Sequence, residues 1–400
     1  MSTSSPSLRL LLTSLVWPVY LPGLLTATAQ TAILVLLPLY VLELGYSPSI
    51  AALMLATRGI GQLAGDIPAG IVAGRWGDKI CLMLGAAAYV VGYGLMTLTD
   101  VPLLLGLGGV IAGMGMSFSL IGRQSYVTTR APVHQRGRAI SLMAGAMRVG
   151  SLLGPALGGL AAVKFGYQAT FLVLVLLCLL SLLIVFLSAD RGEPEADRTP
   201  HSFIAIIQVL TDHRQAFLSA GLAMISLQFM RAGRVVLLPL AGNAIGLSVA
   251  EIGLVVAAAA LMDSLMFIPA GIIMDRWGRK AAAAPSLLLF ACGLAALGWA
   301  DSYLSLLLSA LLIGFANGVS AGLVMVLGSD FAPATGRARF MGVWKLVSDS
   351  GQAAAPLAIS ALLTAGSLLL CSQLIAATGL IGLYVMASRM NETLIKKTGP

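Results

Sequence analysis

Charge is what this chain has least of. Asp, Glu, Lys and Arg make up 10% of its 400 residues, against roughly 25% in an average soluble domain. With 58% hydrophobic residues, a soluble fold would lack the polar surface to cover itself. Histidine occurs three times, as His134, His201 and His213, each in a polar connection. The four cysteines, Cys81, Cys178, Cys292 and Cys371, lie inside apolar runs without metal-ligand spacing. That pattern argues against a metal centre and reads the cysteines as packing or lipid-facing residues. A phosphate loop of the G-x-x-x-x-G-K-[ST] type is missing, and a nucleophile elbow is not expected either. The chain is therefore read as a non-enzyme without cofactors. Any pumping draws on an ion gradient or on the substrate's own gradient.

Long apolar runs are what the chain has instead. A helix needs about 20 apolar residues to cross the roughly 30 Å hydrocarbon core of a bilayer. By that measure the spans are 14–42, 48–74, 79–98, 101–128, 138–162 and 167–188, then 215–243, 247–274, 280–300, 303–329, 338–363 and 367–388. The expected fold is an all-α polytopic membrane protein of twelve transmembrane helices. It divides into a six-helix bundle over 1–188, a cytoplasmic linker over 189–214 and a second bundle over 215–400. The first run imitates a secretory signal, with Arg9 before it and Ala27-Thr28-Ala29 near its end. Its apolar stretch continues to Val41, and it is read as a retained span. Phe203–Leu210 in the linker is apolar and is expected to lie along the membrane surface.

The few cations fall almost wholly on one side. Arg9, Arg75, Lys79, Arg130, Arg136, Arg138, Arg191, Arg198, Arg214, Arg276, Arg279, Lys280, Arg337, Arg339, Arg389, Lys396 and Lys397 flank spans on the side of the N-terminus, and only Lys164 flanks them on the other. The positive-inside rule puts both termini in the cytoplasm of a cell inner membrane. The net charge of +8 is thereby topological, and nucleic acid is not an expected partner.

The chain is also duplicated. Ile67–Lys79 reads IPAGIVAGRWGDK and Ile268–Lys280 reads IPAGIIMDRWGRK, nine of thirteen positions identical, 201 residues apart. At that offset Leu36-Leu37-Pro38-Leu39 matches Leu237-Leu238-Pro239-Leu240, Gly45 and Ser47 match Gly246 and Ser248, and Asp100 matches Asp301. Arg136 and Arg138 match Arg337 and Arg339, and Pro155 matches Pro356. Six spans per repeat give both halves one orientation, related by a pseudo-twofold axis along the membrane normal.

Nine charges stay inside the spans: Arg58, Arg123, Arg148, Arg231, Arg234, Lys345, Asp66, Asp263 and Asp349. Intramembrane charges are costly and face protein or a water-filled cavity. Spans 3, 6, 9 and 12 carry none and are expected outermost. Depth along the helices pairs Asp66 with Lys345 and Arg148 with Asp263. Asp66, Asp263 and Asp349 are the candidate proton-coupling acids, and Arg58, Arg148 and Lys345 their charge partners. A second signal is Gly150, Gly154, Pro155, Gly158 and Gly159 on span 5, whose small residues permit close helix approach. Ordinary helix packing explains them as readily.

These residues resemble the major facilitator superfamily over essentially the whole chain. Gly70, Gly74, Arg75, Gly77 and Lys79 are similar to its signature loop G-x-x-x-D-R-x-G-R-K. Gly271, Asp275, Arg276, Gly278, Arg279 and Lys280 match it fully. The first copy departs from it, with Gly74 for the acid and Asp78 for the arginine, which puts its cytoplasmic latch in doubt and shifts weight to Asp275. The span 5 glycines resemble the motif of drug:proton antiporters, and so imply efflux. That branch's arginine before G-x-G on span 4 is absent: Gly113-Met114-Gly115 is present, but position 109 is glycine. Arg123, much nearer the cytoplasm, is not given that role.

The resemblance implies alternating access around a midplane site. Gln30, Met116, Phe118, Gln228, Arg231 and Asn317 are the cavity candidates, chosen within the implied spans by polarity and depth. The first expectation is proton-coupled efflux of a small organic molecule, a drug or metabolite, by a monomer in the lipid bilayer. The excess of intramembrane cations motivates an alternative, transport of an organic anion by uptake or export. A non-transporting receptor or scaffold is the third reading, and it leaves the buried charges without a purpose.

Overall fold

A computed structural model describes residues 14–132, 135–190, 203–333 and 336–393. The side chains of 203–206, 338 and 339 are outside that description. Arg9, His134, Arg191, Arg198, His201, Lys396 and Lys397 therefore lie outside the described residues, as does the side chain of Arg339. The chain separates into two compact units, Met1–Arg198 and Thr199–Pro400.

The first unit holds α1 (Val16–Glu43), α2 (Pro48–Trp76), α3 (Asp78–Thr97), α4 (Pro102–Arg130), α5 (Arg136–Phe165) and α6 (Tyr167–Ser188). Its main packing is α4 against α2 and α3, and α1 against α5. The second unit begins with a short helix, Phe203–Asp212, over the apolar stretch expected there. Then follow α7 (Arg214–Ala244), α8 (Val249–Trp277), α9 (Arg279–Leu297), α10 (Tyr303–Phe331), α11 (Arg337–Ala365) and α12 (Leu368–Arg389). Here α10 packs on α8, α11 on α7 and α12 on α9. Among the described residues twelve long helices thus stand where twelve spans were expected. Ten are apolar enough to cross a membrane by length and composition alone. The other two, α2 and α11, are 29 residues each and carry Arg58 and Asp66, and Lys345 and Asp349.

The duplication is visible in local structure, unit by unit. A π-helical turn opens the first span at Val16–Tyr20 and the seventh at Phe217–Gly221, the same positions of the repeat. Ser47 caps α2 and Ser248 caps α8, each hydroxyl accepting a backbone N–H three residues on. Gly77 and Gly278 turn the signature loops at φ 88° and 103°, a left-handed conformation that glycine alone adopts without strain. Just beyond, Lys79 Nζ donates to the Phe186 carbonyl at 2.8 Å and Lys280 Nζ to the Ala387 carbonyl at 3.3 Å. One helix departs from the expectation of an unbroken span. α10 is interrupted at Ser320–Gly322, where Gly322 has φ 79°.

Candidate functional site

In the second unit the polar residues of four helices join into one chain of hydrogen bonds. Lys345 on α11 donates to Asp349 one turn on, in an ion pair. Asp349 accepts from Gln228 Nε2 at 3.0 Å, and Gln228 Oε1 accepts from Arg231 Nη1 at 2.9 Å. Arg231 Nε donates to Asn317 Oδ1 at 2.8 Å, and Asn317 Nδ2 to Asp263 Oδ2 at 2.7 Å. Arg234 Nη2 closes the chain 3.8 Å from that same carboxylate oxygen. Gln228 and Asn317 are buried, so each amide is fixed by its partners rather than by solvent.

Arg231 also explains the break in α10. Its Nη2 donates to the Ser320 carbonyl at 2.9 Å and to the Ser320 hydroxyl at 2.8 Å. Irregular backbone at membrane depth needs such a partner, because lipid offers none. Gly318-Val319-Ser320-Ala321-Gly322 spells the G-x-S-x-G of a nucleophile elbow, against expectation. Its serine is occupied by Arg231 and by the Asn317 carbonyl, and the run sits in a helix break rather than after a strand.

The first unit is built differently. Arg58 Nη2 donates to Gln30 Oε1 at 3.1 Å and meets Met116 Sδ at 3.0 Å. Arg123, 3% exposed, donates from Nη1 to Thr26 Oγ1 at 2.9 Å. Phe118, the remaining cavity candidate of this half, belongs to an apolar cluster with Ala69, Val72, Ala73 and Cys81. Glycines bring α2 and α4 together here. A Cβ at Gly113 would lie 2.1 Å from the Arg58 carbonyl, and one at Gly109 2.2 Å from Thr57 Oγ1. Position 109, glycine where the antiporter pattern has arginine, faces the Thr57 hydroxyl across this seam.

The span 5 glycines make the same kind of contact with α1. Cβ atoms at Gly150, Gly154 and Gly158 would come within 2.6 Å of the Leu24 carbonyl, 2.2 Å of Thr31 Oγ1 and 2.9 Å of the Ala32 Cβ. Gly351, in the equivalent place on α11, would meet the Ile225 carbonyl at 2.3 Å.

At the signature loops the two copies use opposite charges. Arg279 Nε donates to Asp330 at 2.8 Å and lies 3.9 Å from the exposed Asp275. In the first copy Asp78 holds the position of Arg279. It accepts from Thr129, in the place of Asp330, at 3.2 Å and pairs with Arg130 at 3.5 Å. Arg75 and Arg276 are exposed, and Gly70 and Gly271 meet nothing within 4 Å inside their units. Within the second unit, Lys345 pairs with Asp349 and Asp263 accepts from Asn317. Cys81, Cys178 and Cys371 are buried and Cys292 is exposed. Among the described residues no group of His, Cys, Asp and Glu could hold a metal.

A family model described as Major Facilitator Superfamily matches residues 19–238 and 217–398. The chain belongs to the Major Facilitator Superfamily. It is a multi-pass membrane protein and a secondary transporter of a small-molecule substrate, not an enzyme. It is 27% identical over 343 residues to the multi-drug resistance efflux pump PmrA homolog of Lactococcus lactis subsp. lactis (strain IL1403), covering 82% of each chain. It is 29% identical over 119 residues to the multidrug resistance protein MdtH of Yersinia pestis (strain Pestoides F), 30% of each. Among solved structures, a POT family transporter in complex with a thioalcohol conjugated peptide matches at TM-score 0.79 and 14% identity, over 94% of this chain and 95% of that one. A D-xylose-proton symporter matches at 0.73 and 17%, over 96% and 98%. These structures share the fold of this superfamily member.

Sequence reasoning named Gln228, Arg231, Asn317, Asp263, Asp349 and Lys345, which the fold joins. It also named Gln30 and Met116, which share Arg58. It missed Thr26, Ser320, the structural part of Arg123, and Gln352, whose Oε1 lies 3.4 Å from Gln228 Nε2. The Gly-x-x-x-Gly run around Ser320 was the available signal for the break.

Proposed function

We propose that this transporter exports small organic molecules against an inward proton flow, from a cell inner membrane with both termini cytoplasmic, acting as a monomer. The observation that carries the reading is the hydrogen-bonded chain of the second unit. Its two carboxylates, Asp349 and Asp263, are linked through Gln228, Arg231 and Asn317. A proton arriving on Asp349 removes the charge that holds Lys345 and Gln228. The freed Gln228 reorients against Arg231, and Arg231 holds both Asn317 and the break in α10. One protonation thus biases the element where a long helix is already divided, and a switch needs such a two-state element. The names of the Lactococcus and Yersinia relatives support efflux as the direction.

The test is flux in proteoliposomes with an imposed pH gradient, using ethidium and carboxyfluorescein as probes. Asp349→Asn and Asp263→Asn abolish the dependence on the gradient while exchange without it persists; Asp66→Asn is measured beside them. If all three variants keep wild-type gradient dependence, proton coupling through these acids is wrong.

A further inference from the structure

The two units treat their intramembrane cations differently. In the second, Arg231, Arg234 and Lys345 belong to a network that contains two carboxylates. In the first, neither Arg58 nor Arg123 has a carboxylate partner among the described residues. Arg58 is held by an amide oxygen and a thioether, Arg123 by a hydroxyl. The Nε atoms of both are buried and without a hydrogen-bond partner. Asp66 shares α2 with Arg58 but stands eight residues away, about 12 Å along the helix.

Burying a guanidinium without a counter-charge is strongly unfavourable unless something else supplies the charge. The two cations are also arranged together. Their acceptors, Thr26 and Gln30, lie one turn apart on the same face of α1. Arg58 reaches that face from α2 and Arg123 from α4. Two guanidinium groups with donors to spare, brought from α2 and α4 to successive turns of α1, match the oxygens of a carboxylate, sulfonate or phosphate.

We propose that Arg58 and Arg123 form the receptor for an anionic group of the transported molecule, so that the substrate is an organic anion. This rests on the transport reading and names its substrate class. The bound anion then supplies the missing counter-charge, and the empty unit keeps a charge imbalance that favours capture.

The experiment measures binding to the full purified chain in detergent, with no gradient. The probes share one ring system: carboxyfluorescein as the anion and rhodamine 6G as the cation. The wild type is expected to bind carboxyfluorescein. Arg123→Gln and Arg58→Gln are each expected to raise its dissociation constant about tenfold or more, the scale of one lost charge-assisted contact. Rhodamine 6G binding stays within threefold, and the Lys variants at both positions retain part of the anion binding. Thermal unfolding separates this from a structural role. Arg123→Gln removes an uncompensated buried charge, so its unfolding temperature holds or rises while anion binding falls. Failure of the wild type to bind carboxyfluorescein, or wild-type anion binding in both Gln variants, overturns the proposal. So does a lowered unfolding temperature with anion binding intact. Failure of the transport reading appears elsewhere, as absence of gradient-driven flux of any probe in proteoliposomes.

Discussion

Asn317 donates to the Asp263 carboxylate at 2.7 Å while its own oxygen accepts from Arg231 at 2.8 Å. This one amide joins the helix break of α10 to the acid of α8. Asn317→Ala leaves a guanidinium and a carboxylate each short of a bond, at about 1–3 kcal/mol per unsatisfied group. Gradient-driven flux is expected to fall about tenfold, with helix content unchanged by circular dichroism. Wild-type flux in this variant would remove Asn317 from the coupling chain.

Asp78 and Arg279 occupy one position of the repeat with opposite charge. Asp78→Arg places a cation beside Arg130 and removes the ion pair that Asp78 makes with it, leaving Thr129 its Ser125 carbonyl. A loss of about 2 kcal/mol is expected, the scale of a hydrogen bond to a charged group. Adding Thr129→Asp rebuilds the arrangement that Arg279 and Asp330 use in the other unit, and stability returns. A double variant no more stable than the single one would show that the two loops are not interchangeable.

The helix α9 starts at Arg279 without a cap of its own, since its N-cap is Gly278. Glu392, beyond the last helix, fills the role: its carboxylate accepts from the Arg279 and Lys280 N–H groups at 2.8 and 3.0 Å. Glu392→Ala is expected to cost about 1 kcal/mol, as lost caps do, and to speed hydrogen exchange at those two amides. Unchanged exchange there would mean that water caps the helix equally well.

Gly154 and Gly70 separate packing glycines from open ones. Gly154→Ala forces a Cβ to within 2.4 Å of the Thr28 carbonyl, so α1 and α5 must part, at about 1–3 kcal/mol. Gly70→Ala meets nothing inside its unit and removes chain entropy from the unfolded state, a gain of about 0.4–1 kcal/mol. Unfolding temperatures moving in opposite directions are the expected result; a drop in both would assign Gly70 a contact as well.

Gly74→Asp gives the first signature loop the acid its twin has in Asp275. The expected outcome is a more stable outward-open state, read as protection of cytoplasmic-side cysteine labels and gain on the opposite side. Identical labelling in the variant and the wild type would sink it.

The sequence alone determined what is carried along the chain. Apolar runs longer than a bilayer is thick set the twelve helices, and observed ends lie within a few residues of the expected ones. A single offset of 201 exposed the duplication, down to Ser47 and Ser248, Gly77 and Gly278. Both are one-dimensional properties, because helix length and repeat register need no neighbour. Only the tertiary structure decided which polar side chains meet. It sent Phe118 into an apolar cluster, gave Lys345 to Asp349, and lent Glu392 to a helix more than a hundred residues earlier in the chain. Among the described residues it also left Arg58 and Arg123 without a carboxylate partner. Those outcomes depend on how far each helix is rotated about its axis and how closely glycine seams let backbones approach, and both are set by packing between distant segments.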